Sequence, residues 1–199
     1  MQKLTTIDLL RHGETTKGNC FLGSTDASLS KQGWEHMQLA VKGQLYQRII
    51  SSPLIRCADF SQTLAKENGL DLEIEDDLRE IDFGDWEGLT AEDLWRTDQE
   101  KLSMFWEDPE SNTPPNAEGF SDFKSRVNSA FEHVANKHKN EHILLVVHGG
   151  VIRQIISEIL SITFKKSQKI NIDYAGLTRV TSYDGNLSLH FINQQVNKL

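Results

Sequence analysis

The chain has 199 residues, enough for one substantial core, and it is read as a single domain over 1–199. Apolar residues make up 38% and charged residues 25%, an ordinary balance for a globular protein, and no apolar run is long enough to span a membrane. The net charge of −8 argues against nucleic acid as a partner, because backbone binding needs a basic face.

The opening "MQKLTTIDLL" lacks the apolar core and cleavage site of a signal peptide, so a cytoplasmic location is expected. Cys20 and Cys57 have no CxxC spacing and are expected to be free thiols. "TTIDLL" is β-branched and apolar and predicts a strand ending near Leu10. "GNCFLGSTDASL" reads as a loop. Ser30 is placed to cap a helix carrying Trp34, Met37, Val41 and Leu45 on one face. "RIISSP" predicts a short strand stopped by Pro53. A helix from about Leu54 to Asn68 follows, ended by Gly69, and then a short strand over "DLEIE".

Residues 85–122 differ in character. They hold eleven acidic and two basic residues and three of the four prolines, with helical pieces expected between Ala91 and Trp106. This segment reads as a lid-like insertion over one end of the fold, either a solvated acidic face or a filter against strongly anionic molecules. Beyond it, Phe120, Phe123, Val127, Ala130, Phe131 and Val134 form a helical stripe. "HILLVVHGG" suits a buried parallel strand, and its successor helix is apolar at Val151, Ile152, Ile155, Ile156, Ile159 and Leu160. "LTRVTSYDGNLSLHFI" predicts a hairpin turning at Asp184-Gly185. Its edge serves a homodimer or simply ends the sheet. Strands alternating with helices predict an α/β three-layer sandwich, a mainly parallel sheet with helices on both faces.

In such a sheet, ligands bind beyond the carboxyl ends of the strands. Two strands end there in "RHG" and "HGG", and a third delivers Arg56. His12, Arg11, Arg56 and His148 are thus aimed at one place. Arg supplies paired donors for phosphate oxygens, and the helix opening at Gly149 adds free N–H groups. A phosphate monoester is the expected ligand, with one imidazole free to attack phosphorus. A leaving alcohol also needs a proton. Glu80, in "LREIDFGDWEG", is the best placed acid, with Asp82, Asp85 and Glu87 as rivals that spacing leaves open. His36, His133, His138 and His142 show no metal-ligand spacing. No phosphate-binding P-loop or serine-hydrolase elbow occurs.

Five stretches carry a resemblance: "RHGE" at Arg11–Glu14, "GSTDASLSKQG" at Gly23–Gly33, "SSPLIRC" at Ser51–Cys57, "LREIDFGDWEG" at Leu78–Gly88 and "VVHGGVIR" at Val146–Arg153. In this order they resemble the histidine phosphatase superfamily, its phosphoglycerate mutase-like branch. The resemblance implies His12 as the phosphorylated nucleophile and Glu80 as the acid and base. It implies that Arg11, Arg56, His148 and Gly149 bind the phosphoryl group, with no metal and no cofactor. Many members carry Asn seven residues after the Arg of "RHGE"; here that place is Gly18, followed by Asn19. The loop and Gly18 look most like the α-ribazole phosphatases of cobalamin assembly, so α-ribazole 5′-phosphate is the expected substrate. A broad-specificity sugar phosphatase, a phosphoglycerate mutase and a non-catalytic regulatory protein are the alternatives. The aromatic residues Trp86, Trp95, Phe105, Trp106, Phe120 and Phe123 read first as local core of this segment, with faces offered to a flat heterocycle as the alternative.

Overall fold

Six apolar or alternating runs pair into one sheet in the computed structural model, which describes residues 4–195. The strands are β1 (Thr5–Arg11), β2 (Arg48–Ser51), β3 (Asp71–Ile74), β4 (His142–Val147), β5 (Leu177–Tyr183) and β6 (Asn186–Gln194). Their order across the sheet is β3-β2-β4-β1-β5-β6. β3, β2, β4 and β1 are parallel neighbours, while β5 runs antiparallel to β1 and β6 antiparallel to β5. The hairpin turns at Asp184 and Gly185, both at positive φ, as its Asp-Gly pair predicts.

Alternation in the strands sorts their side chains to two cores. Ile7, Leu9, Ile50, Ile143, Leu145 and Val147 face α5 (Phe120–Lys137) and α6 (Gly149–Leu160). Leu10, Ile49, Leu144 and Val146 face α1 (Lys31–Val41) and α2 (Ile55–Asn68). This is the expected three-layer α/β sandwich. On α5, Phe123, Val127 and Val134 are buried, each worth about 1.5–3 kcal/mol relative to exposure.

The caps follow the sequence. Ser30 accepts a hydrogen bond from the Gly33 N–H, and Gly69 ends α2 at φ +65°. α1 stops at Val41, however, and Leu45 lies beyond it, 87% exposed. The helical face predicted through Leu45 is one turn too long, because the Lys42–Gly43 turn leaves the helix first. Residues 85–122 hold α3 (Ala91–Thr97) and α4 (Gln99–Glu107), with Trp86, Leu94, Leu102 and Phe105 forming a small core of their own. A last short helix, α7 (Phe164–Ser167), precedes β5. No helix among the described residues is long and apolar enough to cross a membrane.

Candidate active site

β1 and β4 are hydrogen-bonded neighbours whose register pairs Arg11 with Val147. One residue further, the chain ends therefore meet, and the His12 and His148 rings lie with centroids 5.2 Å apart. The loop after β1 rests directly on the first turn of α1: a Cβ on Gly13 would overlap Gly33, and one on Gly33 would overlap Glu14. Only glycine at both places lets the strand end and the helix come this close.

His12 is 6% exposed, and its Nδ1 lies 2.8 Å from the Gly13 carbonyl. A carbonyl only accepts, so Nδ1 carries the proton and Nε2 keeps its lone pair. Burial first, then the charges of Arg11 and Arg56, hold the imidazole well below its ordinary range, so it stays neutral. His148 is fully buried and likewise held low, by burial and then Arg56. Its Nδ1 accepts from Arg56 Nε at 3.3 Å, which leaves Nε2–H to donate to Ser52 Oγ at 2.7 Å. Both nitrogens are thus engaged, and contact with a phosphoryl oxygen requires His148 to exchange one partner.

Arg56 enters from the first turn of α2, fully buried. Nη2 donates to the Leu22 and Gly23 carbonyls and Nη1 to that of Thr25, each at 2.9 Å. With Nε on His148, one Nη1 N–H remains. Among the described residues the Arg11 side chain makes one hydrogen bond, to the Ile172 carbonyl, and its buried Nε has no partner. Glu80 reaches the N-terminus of α6, where its Oε2 accepts from the Gly150 N–H at 2.9 Å. A Cβ on Gly150 would fall on that carboxylate.

Arg11, Glu80, Gly149, Gly150 and Arg153 floor a cavity of about 210 Å³. Phe83, Phe105, Trp106, Phe120 and Phe164 wall it. The geometry separates Glu80 from its rivals: Asp82 accepts from the Gly84 N–H, Asp85 from the Asn116 amide, and Glu87 from four backbone N–H groups. None of those three lines the cavity.

A family model for the histidine phosphatase superfamily, branch 1, matches residues 7–195. The chain belongs to this superfamily. Membership classes the domain with phosphomonoesterases. It is 32% identical over 198 residues to a bifunctional protein of Mycobacterium tuberculosis, a match covering 96% of this chain and 54% of that protein. The chain thus spans about half the length of that relative. A metal-independent phosphoserine phosphatase of Arabidopsis thaliana is 31% identical over 166 residues, covering 79% of this chain and 69% of the relative. The crystal structure of the alpha-ribazole phosphatase from Shigella flexneri superposes with a TM-score of 0.83 at 25% identity, covering 95% of this chain and 96% of that one.

Within this histidine phosphatase domain, His12, His148 and Arg56 form one buried cluster at the strand ends, while Arg11, Glu80 and Gly149 line the cavity; Gly149 directly follows His148. Gly18, at φ +69°, closes a turn onto the Thr15 carbonyl, and Asn19 is exposed there. Of the six lid-region aromatics, Phe105, Trp106 and Phe120 line the cavity. Trp86 is buried in the small core, Trp95 is 54% exposed and Phe123 is in the main core. Two residues escape the sequence reading. Tyr174 stacks on Arg11, 4.0 Å from the guanidinium carbon to the ring centre, and lies beside His12. Its loop has no motif. Arg153 stands inside the "VVHGGVIR" motif, but spacing alone gives it no role; Glu87 enters the sequence reading only as a rival acid to Glu80.

Proposed function

We propose that the protein hydrolyses a phosphate monoester through a phosphohistidine on His12, and that the ester is α-ribazole 5′-phosphate. His12 Nε2 forms the bond to phosphorus as the ester P–O bond breaks, and Glu80 donates the proton that the leaving oxygen takes. Water then attacks phosphorus, Glu80 recovers a proton from it, and the P–N electron pair returns to His12. Arg11, Arg56, His148 and the Gly149 end of α6 hold the phosphoryl oxygens and stabilise the charge that develops on them. Residues 85–122 roof the site as a lid within a single domain. No step calls for a metal or cofactor.

The observation that carries the substrate reading is the aromatic wall beside Glu80. Phe83, Phe105, Trp106, Phe120 and Phe164 suit a flat, uncharged heterocycle on the leaving alcohol. The alpha-ribazole phosphatase of the same fold supports it. Arg153 favours a second reading. It lines the same cavity, and among the described residues its side chain makes one long hydrogen bond, at 3.4 Å to the Ile170 carbonyl, while its buried Nε has no partner. A carboxylate on the leaving alcohol, as in phosphoserine, would satisfy it.

The deciding assay is phosphate release in EDTA from α-ribazole 5′-phosphate, phosphoserine and 3-phosphoglycerate, with His12→Ala as control. A kcat/KM at least about tenfold higher for the ribazole ester, lost in the variant, is the expected outcome. A preference for phosphoserine that disappears in Arg153→Ala would establish the second reading instead.

A further inference from the structure

Glu87 holds an arrangement that the catalytic reading leaves unused. Its Oε1 accepts from the N–H groups of Gly23, Ser24 and Phe83, each at 2.9 Å. Its Oε2 accepts from Thr25 N–H at 3.0 Å. No cation pairs with this carboxylate among the described residues; four peptide N–H groups take that place.

The same loop faces Arg56 with its carbonyls. Leu22 C=O and Gly23 N–H belong to one peptide unit, and the first accepts from Arg56 while the second donates to Glu87. The next unit repeats this, with Gly23 C=O on Arg56 and Ser24 N–H on Glu87. Thr25 also touches both, its N–H donating to Glu87 and its C=O accepting from Arg56, but through two successive peptide units. Two successive peptide units of the loop thus lie as aligned dipoles between an anion and a cation, and such chains of hydrogen bonds polarise one another. At their far end is a guanidinium whose orientation the three carbonyls and His148 fix, with one N–H left over.

We infer that Glu87 is a positioning residue for Arg56, setting the phosphate-facing guanidinium through the loop Leu22–Thr25. The inference rests on the proposed phosphate site but not on its leaving group. It also couples the root of the 85–122 segment to that site, because Glu87 directly follows the short 3₁₀ turn Gly84–Trp86.

The test is a double-mutant cycle of Glu87→Gln and Arg56→Lys, read as the Kd for orthophosphate by calorimetry. Gln keeps the size but replaces one acceptor with a donor that faces N–H groups. Glu87→Gln is expected to weaken orthophosphate about tenfold. The double variant is expected to bind no more weakly than Arg56→Lys alone, because both changes break one relay. Independent, multiplying effects would overturn the inference, as would an unchanged Kd with a lowered Tm. If Glu87→Gln does not fold, Glu87→Asp, which keeps the charge but shortens the reach, enters the same cycle with the same two outcomes. Turnover by His12→Ala would sink the phosphohistidine reading, whereas orthophosphate affinity decides the role of Glu87 without turnover.

Discussion

His12 and His148 meet edge to face, 5.2 Å between ring centres, with both imidazoles held neutral by burial and by the guanidinium of Arg56. On the proposed mechanism this uncharged pair, close to the cations Arg11 and Arg56, receives the phosphate dianion. Because His12 in the free protein is held well below the ordinary imidazole value of about 6.5, its protonation is not expected to switch off the proposed attack near that pH. The expected kcat/KM profile therefore stays high through pH 6 and loses activity only further down. An acid limb centred at 6.5 would contradict it. His12→Ala is expected to cost at least about 10³-fold in kcat.

Glu80 lies against the Gly150 N–H, and its proposed work is to protonate a leaving alcohol. Glu80→Gln is expected to lower kcat about 10²–10⁴-fold on an alkyl phosphate. On p-nitrophenyl phosphate, whose phenolate leaves without a proton, the loss should be much smaller. Gly150→Ala, whose methyl would displace the carboxylate, should give the same pattern more weakly. Equal losses on both esters would remove Glu80 from the acid role.

The strand-end cluster was legible because it is written in local patterns. An apolar run followed at once by "RHG" or "HGG" names both the strand and what it presents, and parallel topology does the rest. The antiparallel placement of β5 against β1 was not legible, since a hairpin pattern does not say which strand it joins. Nor was Tyr174. Its loop is held by tertiary bonds, with Gly176 C=O accepting from Arg11 N–H and Ala175 N–H donating to His12 C=O, and neither leaves a periodic trace. Glu87 was readable as an acid near the site, but only the fold shows that backbone N–H groups surround it.

Tyr174 covers one face of the Arg11 guanidinium, with Ile172 C=O accepting from its Nη1. A cation–π contact of this kind contributes about 0.5–2 kcal/mol. Tyr174→Ala should raise KM by roughly 3–30-fold and change kcat little, since it loosens Arg11 without touching the proton transfers. Tyr174→Phe keeps the ring and should behave like wild type. A Phe variant as impaired as Ala would shift the role to the hydroxyl.

Far from the site, Asp8 is fully buried on β1 and accepts from Arg179 Nε at 2.7 Å and Nη2 at 2.8 Å, and from Tyr46. His142 Nε2 lies 3.0 Å from its Oδ2. Burial works to raise its pKa, but the bonds from Arg179 and His142 outweigh it, and the carboxyl is held below 3.8. A depressed carboxyl adds stability that is present above its unfolded pKa and lost as pH falls through the folded one. The two histidines at the site act in the same direction: the unfolded chain takes up their protons below about pH 6.5 while the fold resists. Stability is therefore expected to decline from pH 6.5 downward, first through the histidines and then, below about pH 4, through Asp8. Asp8→Asn should cost about 3 kcal/mol at pH 7, because it leaves a cation beside an uncharged buried group. It should also flatten only the lower part of that decline. Urea titrations of both proteins from pH 3 to 8 separate the two contributions, and a variant that flattened the decline near pH 6 would show that the assignment to histidine is wrong.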